Sequence, residues 1–227
     1  MVFVVGAMLL VLSGGALGQY IQEYGVQLPW GVQGSSATTS GGFDGTDALM
    51  QLQTLPVKGR APKTGYDRAQ FGSGWSVVSG CSTRQIILYR DLQDKVMTDE
   101  CTVASGLLQD PYTGTTIHFT KDKSSAVQID HVVALSDAWQ KGAQQLTSER
   151  RRELANDPLE LIAVQGAANQ SKSDGDAATW LPKNKAFRCE YVARQVAVKK
   201  KYSLWVTTAE KEAIAGILRG CATMEVH

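Results

Sequence analysis

The sequence has few of the residues from which common hydrolytic sites are built. It contains three histidines, His118, His131 and His227, and four cysteines, none of which forms a C-x-x-C pair. A zinc hydrolase needs more histidine ligands, and a zinc ribbon needs paired cysteines, so both classes are disfavoured. No G-x-S-x-G sequence is present, which argues against a serine hydrolase of the nucleophile-elbow type.

Strong charge of either sign is also absent. The formal net charge of the 227-residue chain is +1, with 43% hydrophobic and 20% charged residues. This composition is ordinary for a globular protein, and bulk charge identifies no partner. The length suits one well-buried domain.

The first residues lack Lys and Arg, although they otherwise have the pattern of a secretory signal peptide. An apolar stretch from Val2 to Leu12 is followed by Ala16 and Gly18, small residues in the positions of a cleavage site before Gln19. The stretch is too short for a comfortable transmembrane helix. We therefore predict a signal peptide over 1–18, a secreted protein and no stable insertion in a membrane.

Residues 19–45 are rich in Gly, Ser, Thr and Gln, a composition that predicts a flexible linker or pro-segment. One domain is expected over 46–225. An even number of cysteines in an exported chain favours two disulfides. We favour pairs between segments that are near in sequence, Cys81 with Cys101 and Cys189 with Cys221, with four buried free thiols as the alternative.

The pattern of elements predicts an α+β domain. A helix is expected to begin near Thr46, and "TRQIILYRDLQ" is compatible with either helix or strand. Alternation in "TTIHFT" and β-branched residues in "AVQIDHVVAL" predict two strands, which we expect to form a hairpin around "KDKSS". "PLELIAV" predicts a buried strand, and Thr207 with Glu210 forms a capping box for a last helix that ends at Gly220.

One acid and one imidazole are adjacent within an apolar strand, Asp130-His131. A lone histidine in such a strand is more often a hydrogen-bonded core residue than a catalyst. Strict alternation would also place the two side chains on opposite faces of the sheet. They can serve one centre only near the end of the strand, and "VVALSDAW" leaves the strand within a few residues.

An oxygen-liganded metal site fits this pair best. A hard divalent cation needs a carboxylate, an amide oxygen and phosphate or water oxygens, while the histidine acts as general base toward the attacking water. Downstream, Asn169 and Lys172 are three residues apart and share a face if "ANQSK" is helical. An amide oxygen could then meet the metal while an ammonium meets a phosphate.

The sequence resembles the HNH, or His-Me finger, endonucleases. The segments "GYDRAQFG", "TRQIILYRDL", "QIDHVVALSDAW", "ANDPLELIAV" and "NQSKSDGDAATWLP" resemble the exported single-domain branch related to the C-terminal nuclease domain of GmrSD-type restriction enzymes. The resemblance extends from about residue 49 to residue 217. It implies a ββα-metal (His-Me finger) core embedded in a mostly helical single domain, with one Mg²⁺ or Mn²⁺ ion.

Residue roles follow from the matched positions. The resemblance implies that His131 is the general base, that Asp130 and Asn169 are metal ligands, and that Lys172 is the basic residue of the finger helix. The middle Asn of the motif is replaced by Glu160, whose role would be structural support of the loop that carries the base. Glutamate can accept the bonds of such a loop but donates none unless it is protonated.

Basic residues suggest where a nucleic acid could bind. Residues 183–201 hold seven Lys or Arg against one acid, and Lys199, Lys200 and Lys201 close this run. A phosphate-binding track and a solvated helix face are both compatible with it. Arg84 and Arg90 could clamp a phosphate or pair with nearby aspartates.

The resulting prediction is a secreted, monomeric, metal-dependent endonuclease of low sequence specificity that acts on DNA, with RNA as an alternative. A non-catalytic exported nucleic-acid-binding protein and an antibacterial nuclease toxin are the other hypotheses. The Asp130, His131 and Asn169 set argues against the non-catalytic protein.

Overall fold

The computed structural model describes residues 45–221, which form one domain of mixed α and β structure. The predicted signal peptide and nearly all of the predicted linker lie outside the described residues. The helices are α1 (Gly45–Thr54), α2 (Thr83–Asp91), α3 (Leu135–Gln140), α4 (Ser148–Asn156), α5 (Gly166–Lys172), α6 (Arg188–Lys201) and α7 (Thr208–Cys221). The strands are β1 (Val77–Val78), β2 (Cys81–Ser82), β3 (Gln93–Met97), β4 (Val103–Gln109), β5 (Thr116–Thr120), β6 (Val127–His131) and β7 (Leu161–Gln165). Within residues 45–221, no helix has the length and apolar character needed to cross a bilayer.

Strands β6 and β7 form a two-stranded antiparallel sheet between two hydrophobic cores. Ile162 and Val164 face a large core built mainly from the helices, whereas Leu161 and Ala163 face a smaller core with α2 and β4. A strand buried on both faces is continuously apolar, which explains "LIAV". Packing on both faces thus fixes the sheet, and with it the position of Asp130 and His131 at the end of β6.

The predicted hairpin between the strands around "KDKSS" is wrong. Strand β5 pairs with β4 in a three-stranded sheet, and the polar segment forms 3₁₀ turns (Lys121–Ala126) that lead to a different sheet. The burial of the strands gives the reason. Strand β6 is buried along nearly its whole length and takes the equally buried β7 as its partner, whereas β5 is exposed at alternate residues.

Helix boundaries follow local capping with small shifts. The segment that was compatible with either helix or strand is helix α2, whose N-cap Ser82 accepts a bond from the Gln85 amide. Thr207 accepts a bond from the Glu210 amide, as the capping box predicts. Helix α7 continues through Gly220 to Cys221, so the predicted end at Gly220 is wrong by one residue.

Both predicted disulfides are present. Cys81 is bonded to Cys101 and Cys189 to Cys221, with Cα–Cα distances of 5.2 and 6.0 Å. The first joins β2 to the segment before β4, and the second ties the start of α6 to the end of α7.

A charge-balanced ionic cluster lies among α3, α6 and α7, and all of its members except Arg60 are buried. It contains three cations, Arg60, Lys141 and Lys199, and three anions, Asp137, Asp176 and Glu210. Lys141 is fully buried and its ammonium lies 2.7 Å from an oxygen of each of the three carboxylates. Buried charges persist only when they are paired and hydrogen-bonded, so this cluster fixes the relative positions of the helices that meet there.

Candidate active site

The end of β6 and helix α5 meet at an open cavity of about 540 Å³. Asp130 and His131, the last two residues of β6, and Asn169 on α5 all line it. Although alternation places neighbouring strand residues on opposite faces, the strand ends at His131 and the chain turns away, so both side chains reach the same cavity. The three residues that the sequence singled out are therefore brought together.

His131 is held as a neutral imidazole with a defined tautomer. Its Nε2 lies 3.0 Å from the carbonyl oxygen of Ala155, and because a carbonyl only accepts, Nε2 carries the proton. Nδ1 has no hydrogen-bond partner among the described residues. Burial, with the nearby charges of Arg68 and Lys172, lowers the pKa of His131 to about 3. The free Nδ1 is thus a proton acceptor at neutral pH.

Asp130 is oriented by two buried donors. The phenol of Tyr112 donates to Oδ2 at 2.5 Å, and the ammonium of Lys172 donates to Oδ1 at 3.0 Å. Burial, with the Asp130 charge, raises the pKa of Tyr112 well above its usual value, so the phenol stays protonated. Lys172 also donates to the carbonyl oxygen of His131 at 2.8 Å and so holds both members of the pair. Each carboxylate oxygen keeps a further lone pair for another ligand.

Asn169 lines the cavity from helix α5. Its Nδ2 donates to Oε1 of Gln128 at 2.9 Å, which leaves Oδ1 as the free end of the amide. A carboxylate, an amide oxygen and solvent suit a hard divalent cation such as Mg²⁺. Within residues 45–221, no group of three or more His, Cys, Asp or Glu residues could hold a metal ion alone. Any ion here would therefore need water or substrate oxygens as additional ligands.

Glu160 supports the chain segment that immediately follows His131. Its side-chain Oε2 accepts from the Val133 amide at 3.1 Å, and its backbone oxygen accepts from the Val132 amide at 2.9 Å. The side chain is fully buried, and burial raises its pKa well above the usual value. Glu160 thus accepts a bond from the loop after His131, and its burial favours the neutral form of the carboxyl group.

Three cations, Lys63, Arg68 and Arg84, line the cavity. Lys63 lies 3.2 Å from Asp174, and Arg84 makes a 3.3 Å bond to the backbone oxygen of Val127. Desolvation lowers the pKa of Arg84, which is half-buried. Arg84 therefore lies at the cavity, and its role as a phosphate ligand stays a prediction.

Arg90 has a structural role instead. It pairs with Asp91 and donates to the backbone oxygens of Pro158 and Leu161. These bonds join α2 to the segment that carries Glu160 and to β7. The two arginines of "TRQIILYRDL" therefore divide between the cavity and the scaffold.

None of the four lysines predicted as phosphate contacts, Lys172, Lys199, Lys200 and Lys201, lines the cavity. The prediction is wrong for Lys172 and Lys199, which are buried, and it stays a prediction for the exposed Lys200 and Lys201. Lys172 and Lys199 have fully buried side chains, the first bonded to Asp130 and the second to Asp137 and Glu210. Lys201 pairs with Asp157 at a separate surface cleft, and Lys200 is exposed. The prediction was wrong for the buried pair because carboxylates from distant segments neutralise both ammonium groups.

Sequence reasoning missed Tyr112, Gln128, Arg68 and Trp75. Tyr112 lies in the turn before β5, and Gln128 lies on β6, the strand that ends with Asp130 and His131. Arg68 belongs to "GYDRAQFG", a segment noted only for its resemblance. The Trp75 ring lies parallel to the His131 ring, with 5.9 Å between centroids and 4° between planes. Nothing in local periodicity indicates that these four residues converge.

Comparisons with known proteins identify the family of this chain. A family model described as "GmrSD restriction endonucleases, C-terminal domain" matches residues 84–217. A protein described as "Uncharacterized secreted protein" from Arthroderma benhamiae is 38% identical over 173 residues, which cover 75% of this chain and 82% of the relative. No solved structure matches. The chain belongs to the family of the C-terminal domain of GmrSD restriction endonucleases, a membership that suggests a nuclease-type function.

Proposed function

We propose that the protein is a secreted, metal-dependent HNH-type endonuclease that hydrolyses phosphodiester bonds of DNA, with RNA as the alternative substrate. The observation that carries the proposal is the neutral His131, with an unpartnered Nδ1, beside Asp130 and Asn169 in a cavity lined by three cations. A base, oxygen ligands and phosphate-binding cations are the parts that phosphodiester hydrolysis requires. The family and the secreted relative support the activity and the export.

His131 acts as the general base in this proposal. Nδ1 takes one proton from the attacking water, whose oxygen forms a new bond to phosphorus while one ester P–O bond breaks. The leaving oxygen takes a proton from solvent. The Ala155 carbonyl fixes the imidazole orientation through Nε2, and Glu160 holds the following segment. Proton transfer by a positioned side chain contributes roughly 10² to 10⁴ in rate.

Asp130 and Asn169 would hold one divalent ion, Mg²⁺ or Mn²⁺, in a ββα arrangement of β6, β7 and α5. Such an ion polarises the phosphoryl group and lowers the pKa of its bound water. Lys172 and Tyr112 position the Asp130 carboxylate, so Lys172 serves the site by orientation rather than by contact with substrate.

Low sequence specificity follows from the composition of the cavity. Its cations are suited to phosphates, which carry no base identity. We expect the protein to act as a monomer.

Metal removal tests the proposal first. The full chain is purified and incubated with closed circular DNA, single-stranded DNA and RNA, each in Mg²⁺, Mn²⁺ or EDTA. We expect cleavage of DNA in Mg²⁺ or Mn²⁺, none in EDTA, and recovery when Mg²⁺ is restored. Full activity in EDTA would exclude the metal ion, and no cleavage in any condition would favour a non-catalytic binding protein.

Arg84 tests the phosphate contact. Binding of DNA to Arg84→Gln is measured in EDTA across a salt series, so that nothing is cut. Because one phosphate contact is lost, the slope of log affinity against log salt should decrease by about one. The matched control is Arg219→Gln, an exposed arginine on α7 outside the cavity. An unchanged slope for Arg84→Gln would assign Arg84 to the scaffold.

A further inference from the structure

A second, smaller cavity shares His131 with the first. It has a volume of about 120 Å³, and Arg68, His131 and Leu135 line both cavities. The geometry points to a subsite for one nucleobase of the substrate strand, with Arg68 contacting the phosphate that adjoins it. This inference rests on the proposed nuclease function and specifies that the bound base is unpaired.

The two cavities differ in chemistry. The first is lined mostly by charged and amide side chains, as phosphates and a cation require. The second is walled by apolar side chains, Phe71, Trp75, Leu135 and Ala155. Arg68 and His131 supply its polar side chains. A flat, apolar ligand group that is attached to a phosphate fits this pair of cavities, and a nucleotide has that composition.

Arg68 lies between the two cavities and lines both of them. Its guanidinium has no hydrogen bond or ion pair among residues 45–221. The 3₁₀ turn that carries it (Arg68–Phe71) is fixed: Asp67 caps it through a 2.7 Å bond from the Ala69 amide, and Arg151 donates to the Gln70 carbonyl at 2.8 Å. An unpaired guanidinium that extends from a fixed turn beside His131 suits a phosphate.

Two glycines line the second cavity, and a Cβ built on the first, Gly72, would meet the Arg152 side chain at 3.3 Å. Gly72 and Gly74 have φ of 104° and 123°, a conformation that disfavours other residues. A Cβ built on Gly74 meets no atom within 4 Å, so open space lies beside it. Trp75 follows directly and contributes aromatic surface to the cavity.

The occupant would be an unpaired base. Stacking on an aromatic side chain accepts any base, because every base has a π face. A base paired within a duplex would have to leave its stack before entering. The subsite therefore favours single strands, nicks and locally opened duplexes over intact duplex DNA.

Abasic oligonucleotides test the subsite. A short single-stranded DNA carries one cleavable phosphodiester between methylphosphonate linkages, in three forms: with all bases, abasic on the 5′ side of that phosphodiester, and abasic on the 3′ side. Binding is measured in EDTA by fluorescence anisotropy, and cleavage is measured in Mg²⁺. We expect one abasic form to bind the wild type about tenfold more weakly, within the range for loss of one stacked base, and the other to bind nearly as the parent does.

Variants locate the effect. Trp75→Leu should remove the discrimination between the parent and the sensitive abasic form, and Trp75→Phe should retain most of it. Arg68→Gln should weaken all three forms alike, with Arg219→Gln as the unchanged control. Equal wild-type binding of the three forms, or full discrimination by folded Trp75→Leu, overturns the subsite. Discrimination without any cleavage would retain the subsite and exclude the nuclease, so the two failures are distinguishable.

Discussion

Replacing His131 with alanine is expected to lower the cleavage rate by about 10² to 10⁴, because the proton acceptor for the attacking water is removed. Asp130, Asn169 and the cations of the cavity remain in place, so nucleic-acid binding should persist. The measurement is the single-turnover rate of DNA cleavage in Mg²⁺, made on protein whose folding is checked by thermal unfolding.

His118 supplies the control for this experiment. It is exposed on β5, away from the cavity, and His118→Ala should cut at the wild-type rate. The alternative, that His131 is a hydrogen-bonded core residue, predicts a lower melting temperature with cleavage retained. Near wild-type cleavage by folded His131→Ala would therefore defeat the catalytic assignment.

The largest effect on stability is expected at Lys141. Lys141→Met leaves the carboxylates of Asp137, Asp176 and Glu210 buried with one cation fewer. Removal of one partner from a buried ion pair costs about 3–5 kcal/mol in the free energy of unfolding. For a domain of this size the melting temperature should decrease by about 6 to 20 °C.

An exposed lysine gives the matched comparison. Lys123→Met makes the same chemical change in the 3₁₀ segment between β5 and β6, where the residue is exposed. Its free energy of unfolding should change by less than about 0.5 kcal/mol. Equal stability of the two variants would show that the cluster around Lys141 does not hold the helices together.

Much of the site was visible in the sequence because its signals are local. Asp130 and His131 are adjacent, Asn169 lies on the helix that directly follows β7, and the β-branched residues around the pair predict a strand. The disulfides follow because each joins cysteines of neighbouring segments. The capping box at Thr207 depends on one turn of helix only.

What the sequence did not predict depends on distant partners. Lys199 belongs to a run of basic residues that is typical of a solvated face, yet the helix that carries it is buried around most of its circumference. Its burial requires Asp137 and Glu210, which lie 62 residues before it and 11 residues after it in the chain. No local pattern encodes such a convergence, and the same reason explains the missed pairing of β6 with β7.

The position of Arg68 at the site also depends on contacts between segments that are distant in the chain. Its segment has the Gly and Asp residues of a turn, which predict a loop but not the cavity that the loop faces. Only the fold places this loop against His131. The same arrangement stacks the Trp75 ring on the His131 imidazole.

The Mg²⁺ dependence of the DNA cleavage rate, compared among wild type, His131→Ala and Asp130→Ala, tests the central claim most directly. We expect that wild type is inactive without metal and that His131→Ala reaches half of its much lower plateau at the same Mg²⁺ concentration as wild type. Asp130→Ala should need at least about tenfold more Mg²⁺, since even outer-shell changes cost metal sites 10–100-fold in affinity. A wild-type rate that is independent of Mg²⁺, or an Asp130→Ala curve that superimposes on that of wild type, would contradict it.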